Sequence, residues 1–163
     1  MEIIISKNLC FVFFAVSIKE RVSIPTDNLN IKISGAGCPN SCGIAHLNDI
    51  GFIGIVEPEL DIEKCSGCGI CEKVCRKETI QIIATAQKGA NRIAVIDKIK
   101  CKYCGDCIRA CPVDAIFEKR KGFAVLVGGK EGEDTRLGQT ITEFVSENEA
   151  LQITEKCLKI LKE

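Results

Sequence analysis

The chain has 163 residues, room for one ordinary domain or two small ones, which excludes a large multidomain enzyme. Lys plus Arg and Asp plus Glu both total 22, so the zero formal charge favours neither a nucleic acid nor an acidic membrane surface as partner. A hydrophobic share of 46% against 27% charged residues describes a core-forming chain rather than a disordered one. The unusual count is 12 Cys beside 1 His, 1 Met and no Trp.

In chain order, the apolar run at residues 9–18 is about half of what ~30 Å of hydrocarbon requires. Lys19, Glu20 and Arg21 stand where a signal peptidase site would fall, so the run is expected to be a buried core segment. Residues 28–34 (Asn-Leu-Asn-Ile-Lys-Ile-Ser) have the period of two of a strand, broken by the loop Gly35-Ala36-Gly37-Cys38-Pro39-Asn40. Residues 52–56 (Phe-Ile-Gly-Ile-Val) follow as a buried strand that Pro58 is expected to close. Short strands are expected at 79–84, 92–96 and 115–117, the first two forming a hairpin around Lys88-Gly89-Ala90-Asn91. A further strand is expected at 122–127. Ser146-Glu147-Asn148-Glu149 is a capping box opening a C-terminal helix whose Ala150, Leu151, Ile153, Cys157, Leu158 and Leu161 lie mostly on one face.

Eight cysteines fall into two runs, Cys65, Cys68, Cys71, Cys75 and Cys101, Cys104, Cys107, Cys111, each of the form C-x2-C-x2-C-x3-C. Neighbours three residues apart gather sulfurs around a point rather than stapling distant segments, so the pattern is one of metal ligands in a reduced, cytoplasmic compartment and not of a disulfide framework. Zinc sites take separated pairs of cysteines, whereas these runs of four are duplicated, and Pro112 follows the second. The repeat resembles the bacterial-type ferredoxin signature, in which the fourth cysteine of each run ligates the other cluster. That resemblance implies one [4Fe-4S] cluster on Cys65, Cys68, Cys71 and Cys111 and a second on Cys101, Cys104, Cys107 and Cys75. Arg76 stands where such proteins often carry Pro. Gly67, Gly69 and Gly105 would let backbone N–H groups approach the sulfurs, Ser66, Lys64, Lys100 and Lys102 would add donors or positive charge, and Tyr103 would shield the second cluster from water.

The flanks carry a second resemblance. The stretch Ser34-Gly35-Ala36-Gly37-Cys38-Pro39-Asn40-Ser41-Cys42, then Asp49-Ile50-Gly51-Phe52-Ile53-Gly54, resembles the second half of the sirohaem and [4Fe-4S] motif of sulfite and nitrite reductases. Residues 122–130 and Arg136-Leu137-Gly138 look like the segment that resumes that domain after an inserted ferredoxin, similar to dissimilatory-type and anaerobic sulfite reductase subunits. The resemblance implies an α+β fold: a ferredoxin-like two-cluster module at 59–119 inserted into a partial sirohaem-type domain made of 1–58 and 120–163. It also implies Cys38 and Cys42 as ligands of a sirohaem-linked cluster, Cys42 bridging to the sirohaem iron. The upstream cysteine pair of that family is not found, since only Cys10 precedes Cys38. Three places are thus open for a third cluster and sirohaem: this chain, a partner, or a part lost by truncation. Two core cysteines remain the other reading of Cys38 and Cys42. Lys130 and Arg136 are candidates to meet a cofactor carboxylate or an anionic substrate, with a solvated loop as the alternative; His46 is expected to be a surface or capping residue.

The function expected from these resemblances is iron–sulfur electron transfer, through two [4Fe-4S] clusters toward a sirohaem-type centre where sulfite or nitrite is reduced. Its partners would be an electron donor or acceptor protein and other reductase subunits. The competing expectation is a ferredoxin-type carrier without catalysis.

Overall fold

The computed structural model describes residues 2–5, 31–85 and 91–160. The apolar run at 9–18, Cys10, most of the turn expected at 88–91 and Leu161 lie outside the described residues. The chain divides into two compact units, one of Met1–Ile55 with Gly122–Glu163 and one of Val56–Lys121.

The first unit is a mixed sheet carrying a helix. Strand β1 (Glu2–Ile5) pairs parallel with β2 (Lys32–Ala36), and β2 pairs parallel with β3 (Ile50–Leu60), Ile33 opposite Ile50 and Ala36 opposite Ile53. The parallel step from β2 to β3 needs a crossover, and residues 37–49 provide it with a single 3-10 turn at Ala45–Leu47. The sheet order is β1-β2-β3-β6-β7, where β6 is Ile116–Val127 and β7, antiparallel to it, is Gln139–Val145. The C-terminal helix Glu147–Ile160 starts as the capping box requires: the Ser146 N–H donates to Glu149 Oε2 at 2.7 Å and the Glu149 N–H to Ser146 Oγ at 3.4 Å. Its buried Ala150, Leu151 and Leu158 pack with Ile31, Ile33, Ile50, Phe52, Val125 and Val145 into one core. Thr154, also fully buried on that face, satisfies its hydroxyl on the Ala150 carbonyl at 2.8 Å.

The second unit holds two short helices, α1 (Ile70–Val74) and α2 (Asp106–Ala110), which lie against each other, and an antiparallel hairpin of β4 (Ile80–Ala84) and β5 (Arg92–Ile96). In chain order the C-terminal helix is therefore α3. The core here is small: Cys71, Ile80, Ala94, Cys107 and Ile116.

Two expectations about strand limits are corrected. Pro58 does not end its strand; β3 continues to Leu60, and Pro58 is among the most deeply buried side chains. Pairing with β2 stops at Ile53, so at Pro58 the missing N–H breaks no ladder on that side. Likewise the two short strands expected at 115–117 and 122–127 are one twelve-residue strand, β6. The intervening Glu118-Lys119-Arg120-Lys121 is exposed but anchored to β3, with Arg120 Nε 2.6 Å and Lys119 Nζ 3.0 Å from carboxylate oxygens of Glu57 and Glu59. Charge in mid-strand reads as a break only when its cross-strand partner is unknown.

Replacing Leu158 by Ala empties a fully buried site and is expected to lower unfolding free energy by about 3 kcal/mol. Ser146→Ala, which removes only the cap, is expected to cost about 1 kcal/mol. Urea denaturation followed by circular dichroism measures both, and equal losses would contradict the assignment of the helix face.

Candidate metal centre

All eight cysteines of the two runs lie in the second unit. Each run uses the same backbone device. Gly69 and Gly105 stand immediately before α1 and α2 with φ of 80° and 73°, left-handed values that glycine adopts without strain. Each helix then ends at the fourth cysteine, Cys75 or Cys111, whose N–H donates back to the carbonyl of Glu72 or Ile108. Gly67, with φ of 65°, is also fixed by contact: a Cβ there would run into the Arg92 carbonyl oxygen of the hairpin.

One open-mouthed cavity, with about 300 Å³ of empty space counting its mouth, is lined by Cys65, Cys68, Cys71 and Cys111 together. Three of these come from the first run and one from the second. Apolar Ile82, Ala94 and Ile116 close it from the hairpin and β6. Of the remaining four thiols, Cys104 and Cys107 flank the start of α2, and Cys75 ends α1, the helix that lies against it. Among the described residues, no three Cys, His, Asp or Glu side chains converge on a point as ligands of a single ion would.

Burial dominates the thiol electrostatics. It pushes Cys107 up to about 12, with Cys101 and Cys104 adding to the rise, and raises Cys71, Cys101 and Cys104 as well. Thiols crowded in this way are held as thiolates only by a cation among them, so metal binding would expel their protons. The sulfurs are also met by backbone N–H groups: Ala115 to Cys111 Sγ at 3.2 Å, Tyr103 to Cys101 Sγ and Thr79 to Cys75 Sγ, both at 3.4 Å. Cys68 is exposed and lowered, chiefly by the Ile70 N–H. Soft thiols lining a cavity, with N–H groups aimed at sulfur and apolar walls behind, fit an iron–sulfur cluster.

The charged neighbours are arranged differently from expectation. Lys64 and Lys100 are paired with Asp61 and Asp97 at 3.2 and 3.7 Å, so their charge is turned toward those carboxylates. Tyr103, half-buried, donates its hydroxyl to the Lys98 carbonyl at 3.3 Å. Sequence reading passes over Glu57, which is 8% exposed, bonded by Arg120 and held below the usual carboxylate range by that hydrogen bond. It also passes over Thr79, 4% exposed, whose Oγ1 lies 3.2 Å from Cys75 Sγ. A comparison of the duplicated halves is the signal that finds Thr79, because Ala115 occupies the matching place after Cys111.

In the first unit, Cys38 is half-buried and Cys42 exposed on the loop after β2. The Ser41 N–H donates to the Cys38 carbonyl at 2.9 Å, Ser41 and Ile44 have positive φ, and His46 Nδ1 is 3.1 Å from Ser41 Oγ. Asn48, buried, donates to Ser34 Oγ and the Ile44 carbonyl. Lys130 and Arg136 pair their backbones across a small bridge; Lys130 Nζ is 3.6 Å from Asp134, and Arg136 Nε donates to the Gly128 carbonyl at 2.9 Å. Both side chains are exposed.

Among the described residues, no helix is long and apolar enough to cross a membrane. In comparisons with known proteins, the chain is 35% identical over 129 residues to the coenzyme F420-dependent sulfite reductase of Methanocaldococcus jannaschii, covering 79% of this chain and 20% of that protein. It is 33% identical over 114 residues to the beta subunit of the dissimilatory-type sulfite reductase of Archaeoglobus fulgidus, covering 65% of this chain and 29% of that one. With an anaerobic sulfite reductase subunit of Salmonella typhimurium it shares 31% identity over 136 residues, 82% of this chain and 39% of the relative. The chain thus spans between a fifth and two fifths of the length of these relatives. Residues 27–163 match the nitrite and sulphite reductase 4Fe-4S domain, and the chain belongs to that iron–sulfur, sulfite-reductase-type family.

Proposed function

We propose that this chain is an electron-relay subunit of a sulfite-reductase-type assembly, carrying two [4Fe-4S] clusters in a ferredoxin-like module at 59–119 set within the reductase domain of 1–58 and 120–163. One cluster would be held by Cys65, Cys68, Cys71 and Cys111, the other by Cys101, Cys104, Cys107 and Cys75. The observation that carries the reading is the cavity in which Cys111 joins the three thiols of the other run. When bound, such clusters supply reversible one-electron acceptance.

The residues of the chain do the rest. Eight thiolates fix the irons. The N–H groups of Thr79, Tyr103 and Ala115 offset negative charge at sulfur, and Ile82, Ala94 and Ile116 keep water from the cavity wall. Exposed Cys68, at the open cavity, marks the face a donor protein reaches. Beyond the module, Cys38 and Cys42 supply two thiols toward a sirohaem-type centre completed with a partner reductase subunit, and exposed Lys130 and Arg136 offer charge to an anion such as sulfite or nitrite or to a cofactor carboxylate. Partners of this kind agree with the names of the relatives, two of which are subunits. The cytoplasm, with its reducing poise, is the compartment that suits free thiols.

Anaerobically purified protein is expected to contain about eight irons and about eight sulfides per chain, without a sirohaem absorption band. About twelve irons with such a band would put the terminal centre in this chain; a colourless zinc protein would overturn the reading.

Cys75→Ala is expected to remove the cluster of the 101–107 loop, read as a fall in iron with loss of one of two reducible centres. Loss confined to the 65–71 cluster would contradict the crossed ligand sets.

Chelation of the iron is expected to unfold residues 65–117, whose core contains Cys71 and Cys107, while residues 122–160 keep their amide protection. Hydrogen-exchange mass spectrometry distinguishes this from uniform loosening.

A further inference from the structure

The two halves of the module follow one design, and their departures from each other show where the two sites differ. Position four after the last cysteine is Thr79 in the first half and Ala115 in the second. Both residues are buried, at 4% and 1% exposure, and both give their backbone N–H to the cysteine sulfur, at 3.4 and 3.2 Å. The equivalence is therefore geometric as well as sequential. Only Thr79 adds a hydroxyl, with Oγ1 3.2 Å from Cys75 Sγ. A thiolate bound to iron has no proton to give, so the hydroxyl must be the donor. The hydroxyl has no counterpart at Cys111.

We propose that the Thr79 hydroxyl, acting through the Cys75 sulfur, raises the reduction potential of the cluster to which Cys75 belongs and so sets the two clusters apart. The inference rests on the two-cluster reading above. Reduction adds one electron, drawn from a low-potential one-electron reductant, to a centre that already carries negative charge; no bond is made or broken and no proton moves. A donor aimed at a ligand sulfur stabilises the more negative state more than the less negative one. Glu57 stands on the Cys101 side of the module, its carboxylate paired with Arg120 at 2.6 Å. Glu57 sits beside that loop because the Val56 N–H donates to the Tyr103 carbonyl at 2.8 Å and Lys98 Nζ reaches its carboxylate at 3.5 Å.

The test is a potentiometric titration of the full-length, cluster-loaded chain, followed by electron paramagnetic resonance, for the unaltered protein, Thr79→Val and Thr79→Ser. Thr79→Ala, which copies the residue tolerated at 115, serves if valine impairs cluster assembly. Removing the hydroxyl is expected to weaken reduction at one of the two centres by about threefold to tenfold, a downward shift of about 30–60 mV for one electron. Serine is expected to restore the potential, and the other centre to stay in place. Two centres with unchanged potentials, or with equal shifts, would overturn the role of Thr79 and leave the two-cluster reading standing. Fewer than two reducible centres in the unaltered protein would overturn both.

Discussion

The constraint on which the module depends is the meeting of Cys111 with Cys65, Cys68 and Cys71 around one cavity. Burial makes a thiolate there costly, as the raised Cys71 shows. A cation among them would remove that cost and at the same time join two stretches of chain that share only a small apolar core of Ile80, Ala94 and Ile116. Small domains with little apolar interior commonly draw stability from a metal in this way. In this unit, two of the thiols proposed as ligands, Cys71 and Cys107, are also part of the core.

The same economy explains the local backbone. Short helices α1 and α2 are too brief to be stable by themselves. Left-handed glycines start them, and each ends at the fourth cysteine of its run. The hairpin closes on Gly67 at a distance only glycine allows. The long strands β3 and β6 then carry the chain between units, and the pairs Glu57–Arg120 and Glu59–Lys119 hold the charged stretch of β6 against β3. Glu57 is the least exposed carboxylate of that network and the one most tied to its partners.

Much of this was legible from residue order. Period-two runs located most strands, and Ser146 with Glu149 located the start of the last helix, because each of these signals is local. The two strand limits escaped because they depended on partners distant in sequence. Pro58 reads as a terminator until the end of β2 at Ala36 is known, and Lys119 and Arg120 read as a break until Glu57 and Glu59 are seen across from them. Lys64 and Lys100 looked like charge available to sulfur, yet each has an aspartate three residues before it. Thr79 was visible in principle, but only by setting one half of the repeat against the other and asking which side chain could reach sulfur.

The central claim is that each half of the module completes the ligand set of the other. Anomalous diffraction at the iron edge from crystals of the oxygen-protected protein tests it most directly, by locating each iron relative to each sulfur. The account predicts Cys111 Sγ bonded to an iron of the group held by Cys65, Cys68 and Cys71, and Cys75 Sγ to an iron of the other group. Iron groups each bound by the four cysteines of a single run would contradict it.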